Sequence, residues 1–184
     1  MSTRPLPREP KQAPSVNETA AQKIDIALPP DAVRELVTHT QDDDERMWMP
    51  RGDNVWTRPL MFNVVQGSWV NLTRARGEAI VSRHRHPAPV TGYTLEGSWG
   101  YLEHEWTAKA GTFIFEPAGE THTLVVRPDE GHMLVLFHNF GPLLHVDADG
   151  SVVGYEDVFT RLAKVRAHFR KVGLGDEFVD EMIR

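Results

Sequence analysis

The sequence predicts an all-β chain, an antiparallel sandwich or barrel, with a flexible arm before it and helices after it. Three observations predict it. From Met47 the chain breaks into short runs rich in β-branched and aromatic residues, each bounded by turn-forming residues. No helical period persists through that stretch; one appears only near the end. Finally, 184 residues with 40% apolar content fill one good core, and no repeat of a whole domain is visible.

The elements follow in order. Residues 1–24 hold Pro5, Pro7, Pro10 and Pro14 among polar side chains, with little apolar surface to bury, as in a flexible arm. The barrel is expected over 25–154 and a helical segment over 155–184. Asp31–Val37 predicts a short helix, with Asp31 as N-cap and Val33, Leu36 and Val37 on one face. Asp42–Glu45 reads as a solvated acidic loop, since it lacks the alternate ligands and glycine turn of a calcium loop. Strands are predicted at Trp56–Phe62, Ser68–Arg74, Ala79–His84, Gly92–Leu95, Trp99–Trp106, Gly111–Glu116, Thr121–Val126 and Met133–Phe137. Asn63, Gln66–Gly67, Arg76–Gly77, Glu96–Gly97 and Pro128–Asp129 supply the turns. Leu143–Val146 and Ser151–Val153 flank a further turn at Asp147–Gly150.

Then the period changes. Val158, Leu162, Val165, Phe169 and Val172 recur at three and four, which makes an amphipathic helix ended by Gly173. Asp176 would cap a final turn carrying Phe178, Met182 and Ile183. These helices are expected to close one end of the barrel or to pack across a dimer interface.

Composition narrows the function. A net charge of −6 with both signs well mixed argues against nucleic acid or an anionic membrane as main partner. The absence of cysteine excludes disulfides, thiolate zinc sites and cysteine nucleophiles. No apolar run approaches the roughly 20 residues of a membrane span, and no charged-then-apolar leader opens the chain. A cytoplasmic protein is the expectation.

Chemistry gathers between Gly77 and His122. His84 and His86, two apart, share one face of a strand. With His122 delivered from a later strand, three imidazoles can converge with a side left open, the arrangement of a catalytic metal site. His39, His132, His145 and His168 have no such pairing and read as structural or surface residues, while His138 is a candidate for the pocket wall. Trp99, Tyr101, Phe113 and Phe115 read first as core; Trp99, Tyr101 and Phe115 are also candidates to wall a substrate pocket. Glu96 and Glu116, at strand ends beside turns, read as solvated.

These spacings resemble a known family. Gly77-x6-His84-x-His86 with Gly97 resembles the first cupin motif, and Gly111-x5-Pro117-x-Gly119-x2-His122 the second. Within the cupins, Arg83–His86, Gly92–Gly97, Tyr101–Glu103, Phe115–Gly119 and His122–Leu124 are similar to the 2,4'-dihydroxyacetophenone dioxygenase group. That group resembles the acetylacetone-cleaving dioxygenases, which use non-haem iron and O2 to break a carbon–carbon bond beside a carbonyl. The resemblance implies a double-stranded β-helix, or jelly-roll barrel, with a metal in its wide mouth.

One part of the cupin pattern is missing. Its glutamate ligand would fall at Thr91 counted from His86, or at Val90 counted back from Gly97. If Glu96–Gly97 is a two-residue hairpin turn, Val90 faces Glu103, and cross-strand partners share a face. Glu103 is therefore the candidate fourth ligand or proton acceptor; a register shift by one would present His104 or Leu102 instead.

The expected activity is an Fe(II) dioxygenase that cleaves a small hydroxyketone or diketone, with O2, to carboxylic acids, in an apolar aromatic mouth suited to an aryl ketone. Zinc or another divalent metal in the purified protein is allowed by the same ligands. The rivals are a zinc regulatory module, a metal-dependent isomerase or hydrolase, and a metal-free binder of small molecules. A homodimer or homotetramer is expected, as cupins commonly pair through sheet edges and terminal segments.

Overall fold

Thirteen short strands and two helices follow one another in the computed structural model, which describes residues 27–41, 44–129 and 131–184. The predicted arm, 1–24, and Asp42 and Asp43 of the acidic loop lie outside the described residues. Of the described residues, 27–34 belong to a unit separate from the body, Glu35–Arg184. The helix expected over Asp31–Val37 does not form; a single turn closes there, with the Ala32 N–H donating to Pro29 O at 3.0 Å. Val33 and Val37 are exposed, and a helix this short needs a buried face to hold it.

In the body the strands are β1 (Met49–Gly52), β2 (Val55–Asn63), β3 (Ser68–Arg76), β4 (Ala79–Ile80), β5 (His84–Arg85), β6 (Val90–Tyr101) and β7 (Thr107–Lys109). They continue with β8 (Phe113–Glu116), β9 (Thr121–His122), β10 (Leu124–Val126), β11 (His132–Asn139), β12 (Leu143–Val146) and β13 (Val152–Glu156). Helices α1 (Val158–Lys171) and α2 (Glu177–Asp180) complete the chain. One sheet runs β1-β2-β3-β11-β6-β10-β4, with β7 and β8 also on β6; the other runs β13-β12-β5-β9. The all-β, curled-sheet architecture is the predicted class.

Two predicted strands each serve both sheets. Ala79–His84 divides into β4 and β5, and Thr121–Val126 into β9 and β10. The two halves stay partnered: Ile80 opposes Val125 in the large sheet, and His84 opposes His122 in the small one. The pair thus crosses between sheets together, and that crossing faces two histidines at one level.

The predicted Glu96–Gly97 hairpin is a bulge instead. Strand β6 runs unbroken through it, and against β11 the register slips so that Glu96 opposes Leu134 while Thr94 opposes Val135. Gly97 has φ +69°, and a Cβ there would lie 1.9 Å from the His132 carbonyl oxygen. A turn-forming dipeptide therefore lets β11 approach rather than reversing the chain.

The core has two parts. Trp99, Tyr101, Val135 and Met133 lead one, built from the strands of the larger sheet. In the other, Val158, Leu162, Val165 and Phe169 of α1 pack on Met47, Phe62, Trp69 and Leu143. Asp157 caps α1 in a reciprocal capping box with Thr160. At the far end Leu174 N–H donates to Phe169 O at 2.9 Å and Gly173, φ +78°, to Arg170 O at 3.2 Å. Beyond α2, Ile183 bridges Phe62 of β2, so the C-terminal segment is tied into the body. Asp176 precedes α2 but makes no side-chain cap, since its carboxylate is held by Arg170. Of the acidic loop, Asp44 caps a short 3-10 turn and Glu45 pairs with Arg74 and Arg76, so neither is merely solvated. No helix among the described residues is long and apolar enough to cross a membrane.

Candidate metal centre

His84, His86 and His122 meet because β5 and β9 are antiparallel neighbours. His84 lies directly opposite His122, the His86 N–H donates to Glu120 O at 2.9 Å, and the Gly119 N–H to His86 O at 2.7 Å. Gly119, φ +97°, makes the tight turn that brings the chain back three residues before His122. Ring centroids of the three imidazoles lie 4.7–4.9 Å apart, and one ligating atom from each falls within 4.8 Å of the others. All three are buried, at 8%, 3% and 0% exposure. Together they form a group that can hold a metal ion.

Protonation states follow from the surroundings. His84 Nδ1 lies 2.7 Å from Ser82 O; a carbonyl only accepts, so Nδ1 carries the proton and Nε2 keeps its lone pair. Burial, with the His84 charge adding to it, pushes His86 down to about 3 and His122 to about 2, and burial lowers His84 as well. The imidazoles are therefore neutral at physiological pH, the form that ligates metals.

A carboxylate joins them from Glu116, which is buried and not solvated as its place at a strand end beside a turn predicts. Glu116 is 5% exposed, and its Oε2 lies 3.2 Å from His86 Nε2 and 3.6 Å from His122 Nε2. The two Nε2 atoms are themselves 3.1 Å apart. Glu116 Oε2 has no hydrogen-bond partner, while Oε1 accepts from the Tyr101 hydroxyl. Tyr101 also stacks on His122, centroids 3.7 Å apart and planes within 5°. Burial, opposed by the Tyr101 bond and reinforced by Glu120, pushes the Glu116 carboxyl up to about 7. Lone pairs this close fit a divalent cation: one proton serves one pair at a time, and a cation serves all.

The other predicted residues lie elsewhere. Glu103 is not in this group; its carboxylate accepts from Thr123 N–H at 2.7 Å and Thr123 Oγ1 at 2.9 Å, with Arg83 at 3.7 Å. The cause is the bulge. Because β6 does not turn at Gly97, Val90 opposes Glu116 of β8, not Glu103. His104 pairs with Glu120 at 2.8 Å, and Leu102 is exposed.

Of the expected pocket residues, only Tyr101 lines the cavity beside the histidines, a space of about 80 Å³. Trp99 is fully buried core, its indole N–H donating to Thr94 Oγ1 at 2.9 Å. Phe115 and Phe113 point outward, at 60% and 63% exposure, since β8 turns Ile114 and Glu116 inward. His138 lies on the opposite face of β11 from the cavity-lining Phe137 and Asn139, its ring against Phe140 at 3.9 Å. The wall is mixed, not wholly apolar: Arg51, Arg161, Asn71 and Thr57 share it with the aromatic rings of Trp69, Tyr101 and Phe137.

Comparison with known proteins agrees with this architecture. Residues 35–143 match the ChrR cupin-like domain family. No curated protein matches the chain. An RmlC-like cupin protein from Ralstonia eutropha JMP134 is similar at 27% identity over 76% of this chain and 91% of its own, with a TM-score of 0.67. A second cupin-like protein of that organism, of unknown function, is 25% identical over 65% and 75%, TM-score 0.62. The acetylacetone dioxygenase of Acinetobacter johnsonii covers 79% of this chain and 99% of its own at TM-score 0.67, and at 18% identity shares the fold.

Proposed function

This chain belongs to the ChrR cupin-like domain family, and from that premise we propose that its histidine centre is that of a non-haem Fe(II) dioxygenase. The reaction is cleavage of a carbon–carbon bond in a small hydroxyketone or diketone with O2, a hydroxyketone giving two carboxylic acids and a diketone one carboxylic acid and one dicarbonyl fragment. The two acids from a hydroxyketone take up both oxygen atoms between them. The observation that carries the reading is the buried, unpartnered Glu116 Oε2 within 3.2 and 3.6 Å of two neutral imidazoles. The similar fold of an acetylacetone dioxygenase supports it.

His84, His86 and His122 would hold the iron, and bound iron would supply a chelation point for two substrate oxygens and the site where O2 is activated. The chain's own groups do the rest. Glu116, whose Oε2 faces the same space as the His86 and His122 Nε2 atoms, takes the proton from the carbon beside the carbonyl. Tyr101 holds that carboxyl in place through its hydroxyl and fixes the His122 ring by stacking. Val90, Leu124 and Phe137 exclude water from the reacting carbon.

A second reading is a metal-binding module without turnover, because an imidazole set suits zinc as well as iron. Elemental analysis of anaerobically purified protein, followed by oxygen uptake with a panel of hydroxyacetophenones and diketones, separates the two. Stoichiometric iron with substrate-dependent uptake is expected. Zinc without uptake would favour the second reading, and protein that binds no metal at all would sink both.

A further inference from the structure

The same cavity carries polar groups that the metal chemistry does not use. Arg161 of α1, 5% exposed, and Arg51 of β1 both line it. A single buried carboxylate serves them: Glu156 accepts from Arg51 at 2.9 and 2.7 Å and from Arg161 at 2.9 Å, and also from Lys164 at 2.8 Å. Three cations thus surround one anion, and the other Arg161 amino group donates to Asn71 Oδ1 at 3.3 Å.

Beside them stand donors with nothing to donate to. Trp69, 1% exposed, lines the cavity with its indole N–H unpartnered, and the Arg161 guanidinium lies 5.6 Å from its ring. Thr57, 5% exposed and also in the wall, has an unpartnered hydroxyl. Buried polar groups are ordinarily satisfied, so two unsatisfied ones in one small cavity, beside excess positive charge, describe a ligand with acceptor oxygens. Burial lowers Arg161 to about 10 in spite of Glu156, so its charge is under-compensated where it stands.

We propose that this part of the cavity receives a carboxylate, so that the substrate of the metal centre is a small keto or hydroxyketo acid rather than a neutral aryl ketone. Trp69 and Thr57 donate to the carboxylate, and Arg51 and Arg161 supply the opposing charge. The inference rests on the cavity being the substrate site of the dioxygenase read above.

The test is calorimetry on metal-loaded protein under anaerobic conditions, comparing 2,4-dioxopentanoate with its neutral analogue 2,4-pentanedione. The acid should bind about 10- to 100-fold more tightly, the range of charge-assisted hydrogen bonds. Trp69→Phe, which removes only the N–H donor and keeps a ring, should weaken the acid by about 3- to 10-fold and leave the dione unchanged. In zinc-loaded protein labelled at the indole nitrogen, the resonance missing from Trp69→Phe should move when the acid is added. Arg161→Gln removes a buried ion-pair partner and can unfold the chain, and for that reason Trp69→Phe and Thr57→Val carry the decision. Equal affinities for the two probes, or a Trp69 resonance that stays in place, would overturn the proposal. Acid-selective binding without oxygen uptake would remove the dioxygenase and keep the carboxylate site; oxygen uptake with equal affinities would do the reverse.

Discussion

Glu116 and Glu156 are buried to almost the same depth, at 5% and 0% exposure, yet they carry opposite electrostatic states. Glu116 has imidazoles and a phenol for neighbours, and burial pushes it up to about 7. At Glu156 burial pulls the same way, but Arg161 and Arg51 outweigh it and hold the carboxyl well below the usual carboxylate range. The difference teaches that depth sets the cost of a charge and neighbours decide whether it is met. Around Glu156 the protein's own cations meet it. Around Glu116 no residue cation is within bonding distance among the described residues, and there a metal ion fits.

The largest expected effect tests the Glu116 side. His122→Ala should abolish both metal binding and oxygen uptake, measured by elemental analysis and oxygen electrode; full metal content in the variant would break the assignment. Next, Glu116→Gln should keep its metal and lose about 100- to 10,000-fold in kcat, the usual worth of a positioned general base. Its stability should move by only about 1 kcal/mol, because no ion pair is lost. An unchanged kcat would take proton transfer away from Glu116.

Glu156→Gln should behave in the reverse manner, costing about 3–5 kcal/mol in urea unfolding by leaving two guanidinium groups without their partner. A loss below about 1 kcal/mol would mean that Glu156 is no more committed to its cations than an exposed residue. The pH dependence sharpens the contrast. Since Glu156 titrates lower in the folded chain than its ordinary 4.5, unfolding takes up a proton in acid. Its stabilisation is complete above pH 4.5 and is lost as the pH falls below that value towards the folded one. Glu156→Gln should flatten that acid limb. The smallest effect belongs to Glu103→Gln, about 1 kcal/mol for weakened bonds to Thr123, with metal content intact. Loss of metal in that variant would restore Glu103 as a ligand.

Much of the fold was legible because it rests on local chemistry. The three- and four-residue recurrence from Val158 to Phe169 gives α1, and each of those side chains is buried. Period-two alternation puts His84 and His86 on one face, and the resemblance to the two cupin motifs implies the meeting with His122 that the β5–β9 pairing makes. By contrast, Phe113 and Phe115 carry the stronger apolar signal on β8, yet Glu116 is the residue that faces inward. Alternation says that neighbours differ in face; it does not say which face is enclosed.

What the sequence determined by itself is the class of fold, helix α1 and the placing of His84 and His86 on one strand face, each set by a pattern that repeats between near neighbours in the chain. What the tertiary structure alone decided is the carboxylate. Glu96–Gly97 suits a hairpin and a bulge equally well by local chemistry, and the close approach of His132 on β11 selects the bulge. That choice sets Glu116, rather than Glu103, opposite Val90. A backbone contact between strands distant in sequence settles it, and no local pattern encodes such a contact.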